Sequence, residues 1–320
     1  MQEKIKKIFL NKELYINLLI LFFVILIFLI IGEVLSRIIL GKVLIKQYEK
    51  DGFYYLKPNQ EGWYPPPKFE KTRINNIGSR GGDVDIDWIK ENNKYVFFGD
   101  SFTFGWILKD DETLPHHFQK SLELSDNQII NFAEGGYGID HMTRSYSRNK
   151  DIFKEGDIFF LVLIDNDFIR NIKPLKMNPV KKKIWEIKRH SSFLTLLYES
   201  TGKLQFTIKK FLGIQPEFND EYFNETGFEK ILKFNSLLKE NDQKLVVVFY
   251  EYNETNFSKK AVELCNKNNI TCITNVSSFV FNLKENESMT VPDGHPSGYT
   301  NKVVAEGIGN FIKENNLLIK

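Results

Sequence analysis

The stretch KYVFFGDSFTFG, residues 94–105, carries the pattern that decides the fold. Residues 94–98 form a short apolar run typical of a buried strand, and Gly-Asp-Ser follows directly at 99–101. Glycine and polar residues that directly follow a buried strand lie at the carboxyl edge of an open α/β sheet, where ligands bind. Ser101 at such an edge is a candidate nucleophile, a candidate phosphate ligand or an ordinary turn residue, and the remaining chain has to distinguish among the three.

Strand-like and helical patterns alternate from this point to the carboxyl terminus. Besides residues 95–98, apolar runs predict strands at 129–133, 158–164, 245–250 and 271–276. Helical spacing of apolar residues predicts helices at about 113–123, 138–152, 226–241, 257–268 and 297–315. Alternation of this kind predicts an α/β fold with a doubly wound, mainly parallel five-stranded sheet and helices on both faces.

The composition indicates a globular protein with a full core and no bias towards nucleic acid. Of 320 residues, 42% are hydrophobic and 26% are charged, and the formal net charge is +2. No strongly basic block stands out, so nucleic acid is not an expected partner.

The amino-terminal region carries one long apolar segment. Residues 16–32 contain a single polar side chain, Asn17, and would span roughly 26 Å as a helix, close to the thickness of the bilayer core. We interpret 1–14 as a charged leader and 15–40 as an uncleaved transmembrane anchor, because no small residues typical of a signal cleavage site follow. Lysine and arginine are nearly balanced on the two sides, and we favour a cytoplasmic amino terminus with an external catalytic domain, partly on functional grounds.

Two further regions stand apart from the regular alternation. Residues 41–93 are rich in proline and turn residues, and we interpret them as an extended, irregular connector. Residues 168–223 are too long for a simple crossover and predict an insertion with one or two amphipathic helices at 193–213. This insertion is either packed on the domain or a lid over the sheet edge.

The two cysteines, Cys265 and Cys272, fall at a predicted helix end and the following strand. We interpret them first as two small buried apolar side chains. A disulfide is the alternative if the domain lies outside the cytoplasm. Neither cysteine has histidine partners nearby, so no metal site is predicted.

Four polar blocks fall at strand ends or directly before the last helix. They are residues 99–101, 131–136, 165–167 and 293–296. Because the carboxyl ends of parallel strands meet along one edge, residues almost 200 positions apart are expected to converge there.

These blocks contain the parts of a serine hydrolase site. Ser101 is the expected nucleophile and His295 the base that takes its proton. Asp293, two residues earlier, is expected to orient the imidazole. Oxyanion donors are expected from the Ser101 and Gly136 backbone N–H groups and from the Asn166 side chain.

The blocks resemble the motifs of the SGNH hydrolases, also called the GDSL esterase/lipase family. The matching elements are Gly99-Asp100-Ser101, Asn131 with Gly136, Asn166-Asp167, and Asp293 with His295. The resemblance covers residues 94–320 and implies a flavodoxin-like SGNH fold, ester hydrolysis without a cofactor, and an acyl-ester substrate. Asp100 and Asn131 would then support the site by bracing its loops.

The last block departs from the commonest family pattern. The residue three positions before His295 is Pro292, so the block has the form Asp-x-His in place of Asp-x-x-His. The family motif therefore supports the orienting role of Asp293 less strongly than it supports the roles of Ser101 and His295.

Several functions remain open at this point. The first is an esterase or deacetylase acting on O-acylated glycans, and the closest alternative is an O-acyltransferase acting on envelope polysaccharide. A membrane-tethered scaffold without catalysis, or a flavodoxin-like nucleotide-binding module, is a further alternative. The chain lacks Gly-x-Gly-x-x-Gly and Gly-Lys-Ser/Thr motifs, and Thr103 stands where an α/β-hydrolase elbow requires glycine. His141 is a weaker candidate for the pocket.

Overall fold

A computed structural model gives the fold of this chain. The residues it describes are 12–44, 46–50, 53–63, 70–170, 183, 187, 190–198, 200, 225–250, 256–274, 276, 289–291 and 294–319. They form two compact units, one made of 1–43 with 177–214 and the other of 44–176 with 215–320. Each unit is described by itself.

The larger unit is built on the predicted sheet. Its strands are β5 (Tyr95–Phe98), β6 (Ile129–Asn131), β7 (Ile158–Leu163), β8 (Lys244–Phe249) and β9 (Thr271–Ile273). They are hydrogen-bonded in the order β6-β5-β7-β8-β9, and every pairing is parallel. The predicted five-stranded parallel sheet is therefore confirmed, and β5, which precedes Gly-Asp-Ser, lies inside it.

The helices of this unit cover both faces of the sheet. They are α2 (Ile86–Glu91), α3 (Ser101–Phe104), α4 (Leu114–Ser121), α5 (Ile139–Asn149), α6 (Asp165–Ile169), α7 (Glu225–Lys239), α8 (Asn256–Lys267) and α9 (Gly298–Glu314). Alternate side chains of β5 enter two separate cores, with Val96 and Phe98 in one and Tyr95 and Phe97 in the other. Helices α5, α7 and α8 close the first core, and α4 and α9 close the second.

A buried ion pair closes the amino edge of the sheet. Lys94, directly before β5, donates from Nζ to Asp157 Oδ2 at 2.7 Å, and both side chains are fully buried. Asp157 directly precedes β7, and its Oδ1 also accepts the Lys94 backbone N–H. The pair therefore fixes where these two neighbouring strands begin.

Residues 41–93 are more regular than the expected connector. They form two antiparallel pairs, β1 (Lys46–Lys50) with β2 (Phe53–Leu56) and β3 (Gln60–Trp63) with β4 (Lys71–Ile74). Trp63 and Ile74 are fully buried, so the second pair contributes to the core of the larger unit. The prolines that suggested irregular structure lie mostly at 64–69, outside the described residues.

The smaller unit contains the apolar helix α1 (Lys12–Leu40) and part of the predicted insertion. Residues 192–198 are helical, and Phe193 lies so close to α1 that a side chain at Gly32 would meet its ring at 2.7 Å. Most of 168–223 lies outside the described residues, but the described part around 190–194 packs on α1.

The two cysteines form a disulfide between α8 and β9. The Cα atoms of Cys265 and Cys272 are 6.2 Å apart, within the range that a disulfide bridges. The interpretation of two unpaired buried thiols was wrong, because a sharp connection from helix to strand brings the two residues together.

Candidate active site

The first loop of the site requires glycine at its start. A Cβ atom at Gly99 would lie 2.6 Å from Thr103 Cβ and 3.0 Å from the carbonyl oxygen of Val162. Any side chain at this position would therefore push α3 away from β7. The absence of one lets the chain turn directly from β5 into α3, whose first residue is Ser101.

Asp100 braces this turn as its N-cap. Its carboxylate accepts the Phe102 backbone N–H at 2.9 Å, and its side chain is almost fully buried. The Ser101 hydroxyl lies 3.4 Å from Asp100 Oδ2. Asp100 therefore holds the turn from which Ser101 begins α3.

Ser101 meets His295 across the sheet edge. Ser101 Oγ lies 2.8 Å from His295 Nε2, although 194 residues separate them in sequence. A turn before His295 positions its imidazole. In this turn Gly294 has a φ of +90°, and the Val291 N–H donates to the His295 carbonyl at 2.9 Å. The predicted partner Asp293 lies outside the described residues.

Two aromatic rings flank the imidazole of His295. Phe102 approaches at a ring distance of 5.3 Å, and Trp106 stacks nearly parallel at 6.2 Å. Trp106 also lies 3.0 Å from where a Cβ of Gly135 would stand. The imidazole is therefore held between fixed apolar surfaces, with its Nε2 edge directed at Ser101.

The second loop follows β6 and lies against the first. Asn131 Nδ2 donates to the Thr103 carbonyl at 3.2 Å, and its Oδ1 accepts the Ala133 N–H at 3.1 Å. These bonds fix one loop to the other. Gly136, beyond them, has a φ of +81° and is exposed.

The second loop also approaches the serine itself. A Cβ atom at Gly135 would lie 3.8 Å from Ser101 Cβ, which puts this loop directly beside Ser101. The adjoining N–H of Gly136 thus belongs to the same edge as the serine hydroxyl.

The third loop follows β7 and carries Asn166 in the first turn of α6. Asn166 is partly exposed, whereas its neighbour Asp167 is fully buried and accepts the Ile164 N–H at 3.0 Å. Burial raises the pKa of Asp167 well above its ordinary value, and the nearby Asp100 carboxylate raises it further. Arg170 opposes the shift of that pKa.

Arg170 joins all three loops. Its Nη1 lies 3.0 Å from Asp100 Oδ2, 2.8 Å from Asp167 Oδ1 and 3.2 Å from the Tyr137 carbonyl. One guanidinium therefore connects the Gly-Asp-Ser turn, the second loop and α6. Arg170 follows Asn166 by four residues, about one helical turn. This spacing is the sequence signal that places a cation beside the third block.

Arg80 supports the site from the region expected to be a connector. It is buried, and its guanidinium donates to the carbonyls of Phe104, Gly105 and Leu108 at 2.6 Å each. Its backbone N–H donates to the Asn131 carbonyl at 2.9 Å. Its Nε also donates to Asp110 Oδ1 at 2.8 Å. No local pattern identifies this arginine, because all these partners are distant in sequence.

His141 contributes to structure in this unit. Its Nδ1 accepts the Gly138 N–H at 3.2 Å, and its ring stacks on Tyr137 at 5.2 Å. These contacts cap the start of α5. Within the described part of the chain, no group of three or more His, Cys, Asp or Glu side chains is arranged to hold a metal ion.

Comparisons with known proteins agree with this architecture. A family model described as GDSL-like lipase/acylhydrolase matches residues 95–308. Among curated proteins, none matches this chain.

Solved structures with a similar arrangement share little sequence with this chain. TesA is 13% identical with a TM-score of 0.44, and the match covers 71% of this chain and all of TesA. A lipolytic G-D-S-L family member from Veillonella parvula is 11% identical with a TM-score of 0.41, over 69% and 98% of the two chains. Axe2, an acetylxylan esterase from Geobacillus stearothermophilus solved as a catalytic mutant, is 13% identical with a TM-score of 0.40, over 69% and 93%.

Proposed function

We propose that this chain, which belongs to the GDSL-like lipase/acylhydrolase family, cleaves its ester substrate through an acyl intermediate on Ser101. As a member of that family, the chain is a hydrolase that acts on ester bonds. The contact of 2.8 Å between Ser101 Oγ and His295 Nε2 is the observation that carries the proposal. A hydroxyl becomes an effective nucleophile when a base at this distance accepts its proton.

The proposed reaction has two steps. His295 Nε2 takes the Ser101 proton while Oγ attacks the acyl carbon, and the alcohol then leaves with that proton. Water, deprotonated by the same imidazole, attacks the acyl-serine and releases the carboxylic acid. Asp293 is the proposed group that orients the imidazole and stabilises its cation.

The proposed oxyanion donors are the backbone N–H groups of Ser101 and Gly136 and the amide of Asn166. The exposed position of Gly136, its positive φ and the proximity of the second loop to Ser101 support this assignment. Asn166 lies partly exposed at the end of β7, next to the strand that carries Ser101. Removing its side chain should lower kcat by about 10²–10³-fold without a matching rise in KM.

We propose that the enzyme is a single-pass membrane protein with its catalytic unit outside the cytoplasm. Residues 13–40 have a mean hydropathy of 3.2 in their most apolar window, and apolar side chains are exposed along this helix, which supports a membrane span. The disulfide supports an oxidising compartment for the larger unit. Carbonate extraction and the intact mass of the mature protein distinguish a retained span from a removed signal.

An O-acylated glycan is the proposed substrate class. A catalytic unit tethered outside the cytoplasm would have access to envelope glycans, and this position supports the assignment. Acyl transfer to a glycan hydroxyl uses the same acyl-serine, with a sugar in place of water as the acceptor.

Labelling and product analysis of the full chain in detergent test the mechanism. A fluorophosphonate probe should label the wild-type chain and the Ser147→Ala control but not Ser101→Ala, since Ser147 donates to a helix carbonyl on α5. Mass spectrometry of products from acetylated glycans, with and without acceptor sugars, separates hydrolysis from transfer. A folded chain that is not labelled and does not hydrolyse esters would refute the proposed mechanism and favour the alternative of a non-catalytic scaffold.

A further inference from the structure

The smaller unit contains a groove that the proposed chemistry does not use. It lies between α1 and six described residues of the insertion, and it has a volume of about 590 Å³. Those residues are Lys183, Ile187, His190, Ser191, Phe193 and Leu194. We call it the anchor groove. Its lining is mostly apolar, with charged side chains confined to a few positions.

The groove runs along α1 from an apolar position to a charged one. Leu29 lies inside the apolar segment, and Arg37 lies two helical turns later, beyond its end. Eight residues of helix correspond to about 12 Å, a distance comparable to the depth of a lipid headgroup region. If α1 spans the membrane as proposed, the groove crosses the boundary between hydrocarbon and headgroups.

The apolar wall of the groove matches a hydrocarbon chain. It is formed by Leu29 on α1 and by Ile187, Phe193 and Leu194 opposite. Phe193 is fixed by its edge contact with Phe28 at 5.6 Å, so this wall has a defined shape. A free inorganic anion would leave these surfaces uncovered.

Cationic side chains also line the groove. Arg37 and Lys183 are among them, and Arg37 Nη2 donates to the backbone carbonyl of His190 at 2.8 Å. Glu33 is the one acidic side chain among the lining residues that the structure describes. Glu33 is already engaged: it accepts from Ser191 Oγ at 2.6 Å, from the Phe193 N–H at 3.1 Å and from Arg37. Its charge therefore holds the insertion on α1, and the lining retains a net positive charge for an external anion.

We propose that the anchor groove binds one phospholipid with an anionic headgroup. The phosphate would meet Lys183, Arg37 and His190, and an acyl chain would lie against Leu29, Ile187 and Leu194. This inference rests on the proposed membrane span. The lining thus offers cationic side chains for a phosphate and apolar side chains for an acyl chain.

Native mass spectrometry of the full chain tests the site. The protein is held in detergent micelles doped with phosphatidylglycerol or with phosphatidylcholine, and the fraction carrying one lipid is measured. We expect clear preference for phosphatidylglycerol, and a drop of about five-fold or more in Lys183→Glu. Leu194→Trp, which fills the apolar end, should lower retention of both lipids.

Lys42→Glu is the matched control. Lys42 is exposed, lies shortly after α1 in the same unit and is not part of the groove lining. General attraction of juxtamembrane charge to anionic lipid would make Lys42→Glu and Lys183→Glu equivalent, and that result would overturn the proposal. Equal retention of the two lipids by the wild-type chain would overturn it as well.

The failure of the site and the failure of the membrane span are distinguishable. Release of the wild-type chain by carbonate would refute the span, whereas an embedded chain without lipid preference would refute only the groove. Hydrolysis of a soluble ester by each variant verifies that the unit with Ser101 remains folded.

Discussion

The two edges of the sheet use buried charge in opposite ways. At the amino edge, one ammonium meets one carboxylate: Lys94 and Asp157 are both fully buried, and their charges balance. At the carboxyl edge, one guanidinium meets two carboxylates, since Arg170 contacts both Asp100 and Asp167. The same strand, β5, connects the two arrangements.

The difference separates stability from chemistry. A balanced pair in the interior is costly to open, because loss of either partner leaves a buried charge uncompensated. At the carboxyl edge, burial raises the pKa of Asp167 and the neighbouring Asp100 carboxylate raises it further, so Asp167 keeps a proton in the cluster that holds the loops around Ser101. The amino edge defines where strands begin, and the carboxyl edge positions Ser101, the proposed nucleophile.

The largest expected effect is a difference in kcat/KM between alanine variants of two histidines, His295 and His141. His295→Ala should lower kcat/KM for an acetyl ester by at least about 10³-fold, because Ser101 loses its base. His141→Ala should keep the chemical step and lose stability, since His141 caps α5. Steady-state kinetics with thermal unfolding of each variant measures both effects.

The assignment of His295 as the base would fail if its alanine variant retained wild-type kcat/KM. Equal kinetic losses in both histidine variants, with equal unfolding temperatures, would also contradict the contrast drawn between them.

The next effect lies at the amino edge. Lys94→Met should lower the free energy of unfolding by about 3–5 kcal/mol, because Asp157 remains buried without its partner. The double variant Lys94→Met with Asp157→Leu should recover much of that loss. Denaturant unfolding measures both, and kcat/KM of the folded fraction should stay near the wild-type value.

An equally destabilised double variant would show that packing, and not the unpaired charge, accounts for the loss at the amino edge.

Arg170 offers the corresponding change at the carboxyl edge. Arg170→Ala should lower kcat by about 100-fold. Without the guanidinium the three loops are no longer held together, and Ser101 shifts relative to the proposed oxyanion donors. Arg170→Lys keeps the charge, but its ammonium sits on a more flexible and more strongly hydrated side chain, so it should recover only part of the rate. The pH profile of kcat should shift in the alanine variant, since the pKa of Asp167 rises further when its cation is lost.

A purely structural role for Arg170 would lower the unfolding temperature and leave both the pH profile and kcat of the folded fraction unchanged.

The smallest expected effect is a change in how steeply the free energy of unfolding depends on pH. Between its ordinary pKa of 3.8 and its raised value, Asp167 keeps a proton in the folded chain that the unfolded chain releases. The free energy of unfolding should therefore fall as pH rises through that range, by up to about 1.4 kcal/mol per pH unit. Asp167→Asn lacks this proton and should show a flatter curve in denaturant titrations at several pH values.

Parallel stability curves for the wild-type chain and Asp167→Asn would mean that Asp167 titrates near its ordinary pKa despite its burial.

Local pattern was enough to predict the sheet and the contact between Ser101 and His295. The strand at 95–98 was predicted with its observed bounds. A short, continuous apolar run bounded by polar residues is typical of a strand that is buried on both faces of a parallel sheet. Gly99 was part of a recognised motif, and its neighbours Thr103 and Val162 show why no side chain fits there.

Other features had no local signal. The strands within 41–93 were hidden by proline and turn residues, and the pairing of Cys265 with Cys272 was only one of two alternatives. Arg80 and Trp106 act through carbonyl groups and a ring that are close only after folding.

From residue 94 onward, the amino-acid sequence alone therefore determined the strands of the parallel sheet, the order of the polar blocks and the contact between Ser101 and His295. Periodicity and side-chain chemistry are properties of residues that are close in sequence, so they can be recognised without the tertiary structure. Only the tertiary structure decided that Arg170 ties three loops together, that Arg80 supports them, and that Glu33 holds part of the insertion on α1. Those contacts depend on distance and burial, which come into existence when remote segments pack.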